Sequence, residues 1–456
     1  MRYSVSLTLT VLTMAAMEFC VFHPATGQSP SAADVRQFGA KGDGETDDTA
    51  AIQRAVDSSR GGVWLPRGEY RITAAITIDL DRVGLASIAG DGTGRLVMAG
   101  PGPAIRFLGT HQGSAAPATF LPNVWQRQRM PVVDNLEIIG AHAEAVGIEA
   151  SGTMQLTVTR VNIRRALHAI HLVDRNRNVI ISECHLYEND GVGLYLDDVN
   201  LHQINVAGCH ISYNRGGGIV SRGGNVRNLH ITGCDIEANM GEQSPPTANV
   251  LIDCTGGEYG TAEIAITGCT IQHSHQAPDS ANIRYIGADA KDRAWGNFAI
   301  TGNVLSDVQV NIDLQRARGV VITGNTFWSG FQADLRVSDS SNITIGPNNF
   351  DRNPGYFPEG EADGGISLRN CRDCTLNGLH VNGVRRKAAA IVIEDCRRIN
   401  VSGCTVLDSD SAGLLLKNVD RSRVSGCLFD HENLDGWTPI NVEGGRENCI
   451  EPGDMK

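Results

Sequence analysis

Three things are scarce in this chain. Aromatic residues make up 5% of its 456 positions, Lys supplies five of the 39 basic residues, and after Phe22 no apolar run is long enough to cross a bilayer. The first shortage excludes a core built on large rings. The second leaves positive charge to Arg, whose planar fork suits bidentate capture of carboxylates. The third excludes a transmembrane bundle, so no membrane span is expected. A basic excess is missing too: a formal net charge of −12 denies the chain the positive field that a phosphate backbone requires. Nucleic acid is therefore not an expected partner.

Repetition is what the chain has. From Leu156 to Phe429 one phrase recurs: apolar, any, apolar, Ser/Thr or similar, Gly, Cys or Asn, any, apolar, as in Ile204 to Ile211 and Leu229 to Ile236. The residues that follow its Gly position are Val161, Cys184, Cys209, Cys234, Cys269, Asn303, Asn325, Asn348, Leu379, Cys404 and Cys427, in steps of 22 to 35. A fixed minimum step with longer exceptions marks a coil with loops inserted. Each step also holds a second alternating run, such as Val192 to Leu196, Val310 to Leu314 or Leu414 to Leu416. Short period-2 runs bounded by Gly, Asn and Asp are strands with one buried face. Two or more strands per step exclude helical repeats, and the step is too short for a propeller blade. The expected fold is all-β, a parallel β-helix solenoid.

Stacked turns lie about 4.8 Å apart. Cys184, Cys209, Cys234 and Cys269 should then form one internal thiol column, continued by Asn303, Asn325 and Asn348 with their amides paired. Twelve cysteines in an exported chain would ordinarily mean disulfides. Here buried free thiols are the simpler reading, although Cys371 with Cys396 and Cys404 with Cys427 fall at equivalent points of adjacent turns.

Residues 1–27 carry Arg2, an apolar stretch from Val5 to Phe22 and then Ala25-Thr26-Gly27. That is the pattern of a cleaved export signal, so the expected location is secreted or periplasmic. The next stretch, Asp34 to Gln53, reads DVRQFGAKGDGETDDTAAIQ: a strand, a Gly-Asp-Gly turn and a helix start, with Thr46 as N-cap and Asp47 and Asp48 in the first turn. Asp43, Asp47 and Asp48 also have the look of a Ca²⁺ loop, but turn and cap chemistry accounts for them without a metal. Gly62 to Ile72 reads as strand, turn, strand.

The segment Val35 to Ile72 resembles the N-terminal part of the pectate-lyase-like, polygalacturonase-related right-handed β-helices, a family that includes phage tailspike enzymes. The resemblance implies a right-handed single-stranded coil, an N-terminal helix capping its open end, and a polysaccharide substrate. It implies one domain over 28–456, with 34–110 as cap and first turns, 132–445 as repeat turns and 446–456 as a tail. The polygalacturonase branch carries paired Asp, Gly-His-Gly and Arg-Ile-Lys. This chain has Asp197-Asp198 and Gly216-Gly217-Gly218, with neither the His nor the Arg-Ile-Lys.

Alternation along the first strand of each turn sets an outward row: Tyr195, Val220, Leu251, Arg284, Asp313, Arg336, Ser367, Val392, Leu415. Asp197, Arg222 and Asp253 lie one residue pair further on, and Asn282, Asn311 and Asp334 just before. The longest insertions adjoin Asp253, Arg284, Asp313, Asp334 and Arg336. Glycoside hydrolysis needs two carboxyl groups, about 6.5–9.5 Å apart for inversion, and Asp313 with Asp334 on adjacent turns suits that spacing. The expected function is a secreted polysaccharide-cleaving enzyme with Asp313, Asp334 and Asp253 catalytic and no cofactor. Arg284, Arg336, Trp295, His273 and His275 would bind substrate. One alternative is a uronate lyase, with Arg284 and Arg336 neutralising a carboxylate, His273, His275 or Lys291 as base, and Ca²⁺ as a candidate cofactor. The others are a compensated Arg-Asp-Arg ladder on a solvated face and a carbohydrate-binding or surface module without catalysis.

Overall fold

The computed structural model describes residues 32–58, 62–113, 116–288, 296–353, 355, 362–434 and 436–451. The expected export signal, Lys291 and Trp295 lie outside them. One turn shows how the coil is made. The short strand His185–Tyr187 leads into Leu194–Ala207, which bends at Asp198 (φ 43°), and Gly208 then turns the chain into His210–Ser212. Each segment pairs in parallel with its counterpart one turn on: Leu194 with Ile219, Asn200 with Asn225, His210 with Asp235. Among the described residues the short strands form a 15-stranded sheet, and the rest a 29-stranded sheet folded along its bends. The parallel β-helix expected from the repeat is the fold observed.

The recurring Gly has a backbone cause. The residue before every anchor except Asn348, which follows Pro347, adopts left-handed φ, at 59° to 69° for Gly208, Gly233, Gly268, Gly302 and Gly324. Only Gly enters that region without steric cost. In the weaker copies Arg160 (φ 52°) and Glu183 (φ 54°) accept the strain. Alternate strand residues then point inward, and Ile204, Val206, Ile211, Leu229, Ile231 and Ile236 are all fully buried. They belong to one core that runs from Val35 to Phe429. Each such side chain contributes about 1.5–3 kcal/mol.

The anchors stack inside as expected. Cys234 N–H donates to Cys269 Sγ (3.5 Å), Cys269 N–H to Asn303 Oδ1 (2.9 Å), Asn303 N–H to Asn325 Oδ1 (2.9 Å) and Asn325 N–H to Asn348 Oδ1 (2.9 Å). The eleven described cysteines are free thiols, Cys371, Cys396, Cys404 and Cys427 among them.

A second column corrects the sequence reading. Asn189, Asn214, Asn239, Asn249 and Asn282 each donate Nδ2 to the Oδ1 of the next Asn, ending at Asn311, at 2.7–2.9 Å, and Asn311 Nδ2 donates to Asp334 Oδ1 at 3.1 Å. Asn282, Asn311 and Asp334, expected outside, are buried rungs.

At the N-terminal end the helix is Thr49–Ser58, which buries Ala51, Ile52, Ala55 and Val56 in the main core. Gln53 ties it to the strand Ile76–Asp79 through both atoms of the Thr77 backbone (2.9 Å each). Thr46 is not its N-cap but lies in the preceding strand Asp43–Asp47. Asp48 precedes the helix, and its carboxylate takes the N–H groups of Lys41 (2.7 Å) and Gly42 (2.9 Å). Asp43 and Asp47 cap Thr46 and Thr49 in the same way. Among the described residues no helix is long and apolar enough to cross a membrane.

Candidate functional site

Side chains at i and i+2 of a strand share a face. The register aligns Arg106, Glu149, His171, Tyr195, Val220, Leu251, Arg284, Asp313, Arg336 and Ser367 in one outward row. The row expected from Tyr195 onward is real, and it begins three strands earlier.

Its C-terminal half does not present a carboxylate pair. Asp313 is fully buried, and Arg284 is 4% exposed. Asp313 Oδ2 accepts from Arg284 Nε (3.0 Å), Arg336 Nη2 (2.8 Å) and Gln315 Nε2 (3.2 Å), and Oδ1 from Arg336 Nε (3.0 Å). The loop above closes the cluster, with Arg284 Nη2 reaching both Asp279 O (2.9 Å) and Asp279 Oδ1 (3.1 Å). Burial pushes the Asp313 carboxyl up, but hydrogen bonds from Arg336 and the charges of Arg336 and Arg284 outweigh it and hold it below the ordinary value. It is an ionised anchor with no proton to give.

Asp334 is the end rung of the Asn column, accepting from Asn311 Nδ2 and from Gly365 N–H (3.0 Å); burial, against those donors, raises it to about 6. Asp253 closes a local turn onto Thr255 N–H (3.0 Å) and Oγ1 (2.6 Å). His273 turns towards Asp307 (3.6 Å) and Glu237 (4.0 Å), and His275 stacks on Phe331. No contact brings either His to Arg284 or Asp313 among the described residues. Arg336 opens outward, onto a cavity of about 210 Å³ shared with Lys387 and Ser367.

The N-terminal half is different. His171 and Tyr195, on successive turns, stack with ring centroids 5.2 Å apart and planes at 7°, and His168 lies 5.1 Å from Tyr195. His171 Nε2 is 3.1 Å from Asp197 Oδ2, and its Nδ1 is 3.8 Å from Glu149 Oε2. Arg106 Nε holds Glu149 at 2.8 Å. Arg222, the register neighbour of Asp197, is exposed. Beyond Tyr195 the outward apolar residues Val220, Leu251, Ala248 and Ala281 pack together and end the polar stretch.

Arg106, Glu149, His168, His171, Tyr195 and Asp197 are half-buried, enough to strengthen their interactions while leaving them accessible. Burial, helped by Asp197, raises Tyr195 to about 12, so its hydroxyl keeps its proton at neutral pH. Burial, with His171 beside it, pulls His168 down to about 4 and keeps it neutral. An imidazole between carboxylates and a protonated phenol form an acid–base pair. The sequence held the signal: one repeat step back from Tyr195 lands on His171, and a second on Glu149. The alternating runs that set the row begin at Val192, one turn after His171.

Residues 32–102 match the family model described as rhamnogalacturonase A/epimerase, pectate lyase-like, and residues 124–271 match the right-handed beta helix region. Residues 248–440 match the model of the periplasmic copper-binding protein NosD. Among the described residues no group of three or more His, Cys, Asp or Glu is placed to hold a metal ion.

The chain is similar to alginate lyase 7 of Azotobacter vinelandii, 57% identical over 44 residues, which is 9% of this chain and 5% of that protein. It is also similar to mannuronan C5-epimerase AlgE4 of the same organism, 52% identical over 46 residues, 9% of this chain and 8% of that one. The match thus spans less than a tenth of these relatives.

Two solved structures share the fold. The tailspike protein of E. coli bacteriophage HK620 has a TM-score of 0.54 at 12% identity, over 94% of this chain and 83% of that one. Tailspike gp49 of Pseudomonas phage LKA1 has 0.52 at 13%, over 90% and 83%. With the coil continuing in register behind its first described turns, the chain folds as a right-handed parallel β-helix, and those first turns are similar to the rhamnogalacturonase A/epimerase, pectate lyase-like family.

Proposed function

We propose that this protein is a carbohydrate-active enzyme of the extracytoplasmic space that acts on a uronate-bearing polysaccharide by removing the proton beside the carboxylate. The observation that carries this is the stacked His171–Tyr195 pair between Glu149 and Asp197 on an accessible face, while the carboxylates suited to hydrolysis are sequestered. β-Elimination and C5 epimerisation share their first step. A base takes the C5 proton as a cation or hydrogen bond steadies the charge that builds on the carboxylate. An acid then returns a proton, either to the leaving glycosidic oxygen or to the opposite face of C5.

In this reading His171 is the base, oriented by Asp197, and Tyr195 is the acid. Arg222 is the cation beside the substrate carboxylate. The curated relatives are named as a lyase and a C5-epimerase, both reactions of this type. The test is a polysaccharide panel followed for ultraviolet absorbance of unsaturated uronates, for reducing ends, and for C5 hydrogen exchange in heavy water. Unsaturated ends or exchange on a polyuronate are expected. Saturated reducing ends alone would show hydrolysis and overturn the proposal.

A further inference from the structure

Around the bend at Asp174 (φ 55°), the strand that carries His171 continues onto the next face of the coil. Arg177, His202 and Arg227 are register neighbours there on three successive turns, and Arg175, Asn200 and Asn225 occupy the same face two residues earlier. Their backbones are therefore about 4.8 Å apart from turn to turn. In a chain of net charge −12 this is a concentrated run of cations. Among the described residues no carboxylate lies within ion-pair distance of Arg175 or His202. Residues 116–131 cover it: the Arg177 guanidinium sits 4.6 Å above the Phe120 ring, and Phe120 stacks on Trp125, which is 46% exposed.

The polar atoms here are incompletely used. Asn200 Oδ1, Asn225 Oδ1 and His111 Nε2 are buried with no hydrogen-bond partner among the described residues. A native structure leaves few such atoms, because each costs about 1–3 kcal/mol. Burial lowers Arg175, and burial together with Arg175 lowers Arg177 and His202. Arg175 is a desolvated cation that an anion would relieve.

We propose that this face is a binding subsite for an acidic polysaccharide, with Arg175 and its neighbours taking a uronate carboxylate and Phe120 and Trp125 packing against the sugar ring. A sugar acid matches the site in both senses. Its carboxylate accepts from guanidinium, and its ring offers an apolar face to the exposed Trp125 indole; phosphate has no such face. Arg175 is four residues from His171, at most about 13 Å along the chain, so one polymer spans both places. The identity of the ligand rests on the uronate reading above, but its binding is measured without turnover.

The test is calorimetric titration of the full chain carrying Tyr195→Phe with short oligomannuronate, oligogalacturonate, a neutral glucan oligomer and inorganic polyphosphate. A uronate oligomer should bind, more weakly as salt rises. Adding Arg175→Gln should cost about tenfold or more in affinity with no fall in melting temperature, since the cation removed has no carboxylate partner; Arg175→Lys should fall between. His202→Gln gives a second readout should Arg175→Gln not fold. Unchanged affinity in these variants, a matching loss of thermal stability, or equal binding of the neutral oligomer would each overturn the subsite. Polyphosphate binding as tight as the uronates would overturn the sugar-acid assignment. A chain that binds uronate through Arg175 and yet yields no elimination or exchange would retire the catalytic reading and leave this one standing.

Discussion

Asp313 illustrates how a charged residue on a predicted row can have a structural role. Its four hydrogen bonds all come from cationic or amide donors, and Arg284 beside it is buried. Asp313→Asn should lower stability by about 3 kcal/mol, since it leaves Arg284 with only Asp279 for charge, and leave turnover per folded molecule near wild type. Chemical unfolding alongside kinetics separates the two. Asp334 makes a pH prediction. Its folded value lies above its ordinary 3.8, at about 6, so protonation favours the fold: the contribution is complete below pH 3.8 and lost as pH rises through 6. Asp334→Asn does not titrate there. The stability difference should therefore shift in the variant's favour by on the order of 2 kcal/mol between pH 4 and pH 7. A pH-independent difference would mean Asp334 is ionised throughout. Residue type and alternation told which side chains share a row; they did not tell which loops bury it, and that decides whether Arg284 and Asp313 meet substrate.

Along the internal columns, one rung serves two turns. Asn303 accepts from Cys269 N–H and donates to Ile266 O (3.0 Å) and Asn325 Oδ1 (3.0 Å). Asn303→Ala strands those groups in the core and should cost about 2–4 kcal/mol. Asn303→Cys should cost under about 1 kcal/mol more than nothing, because Cys269 Sγ already accepts Cys234 N–H at the neighbouring rung. Denaturant midpoints of the two variants check this, and equal losses would contradict it. The Cys and Asn anchors were legible because a left-handed Gly precedes most of them at a recurring step. The second column was not: after Asn239 its next rung, Asn249, comes only ten residues later, across a loop, so no fixed phrase carries it.

At the scale of the molecule, each turn needs only its neighbours, so the repeat fixed the architecture well and the working face poorly. The first described strands pair Ala33 with Val63 and Asp34 with Trp64, and the helix Thr49–Ser58 buries its apolar side beside them. Deleting residues 35–58 should leave a coil that associates through its exposed end, seen as aggregation by light scattering; a monomeric, cooperatively folding truncation would contradict this. The central claim concerns which part of the long outward row does chemistry. Steady-state kinetics of Tyr195→Phe and Asp313→Asn on the same uronate oligomer compare its two halves directly. The account predicts a loss of about 10²–10⁴-fold in kcat for Tyr195→Phe and near-wild-type kcat for Asp313→Asn. Full activity in Tyr195→Phe with loss in folded Asp313→Asn would place the active site on the other half and contradict it.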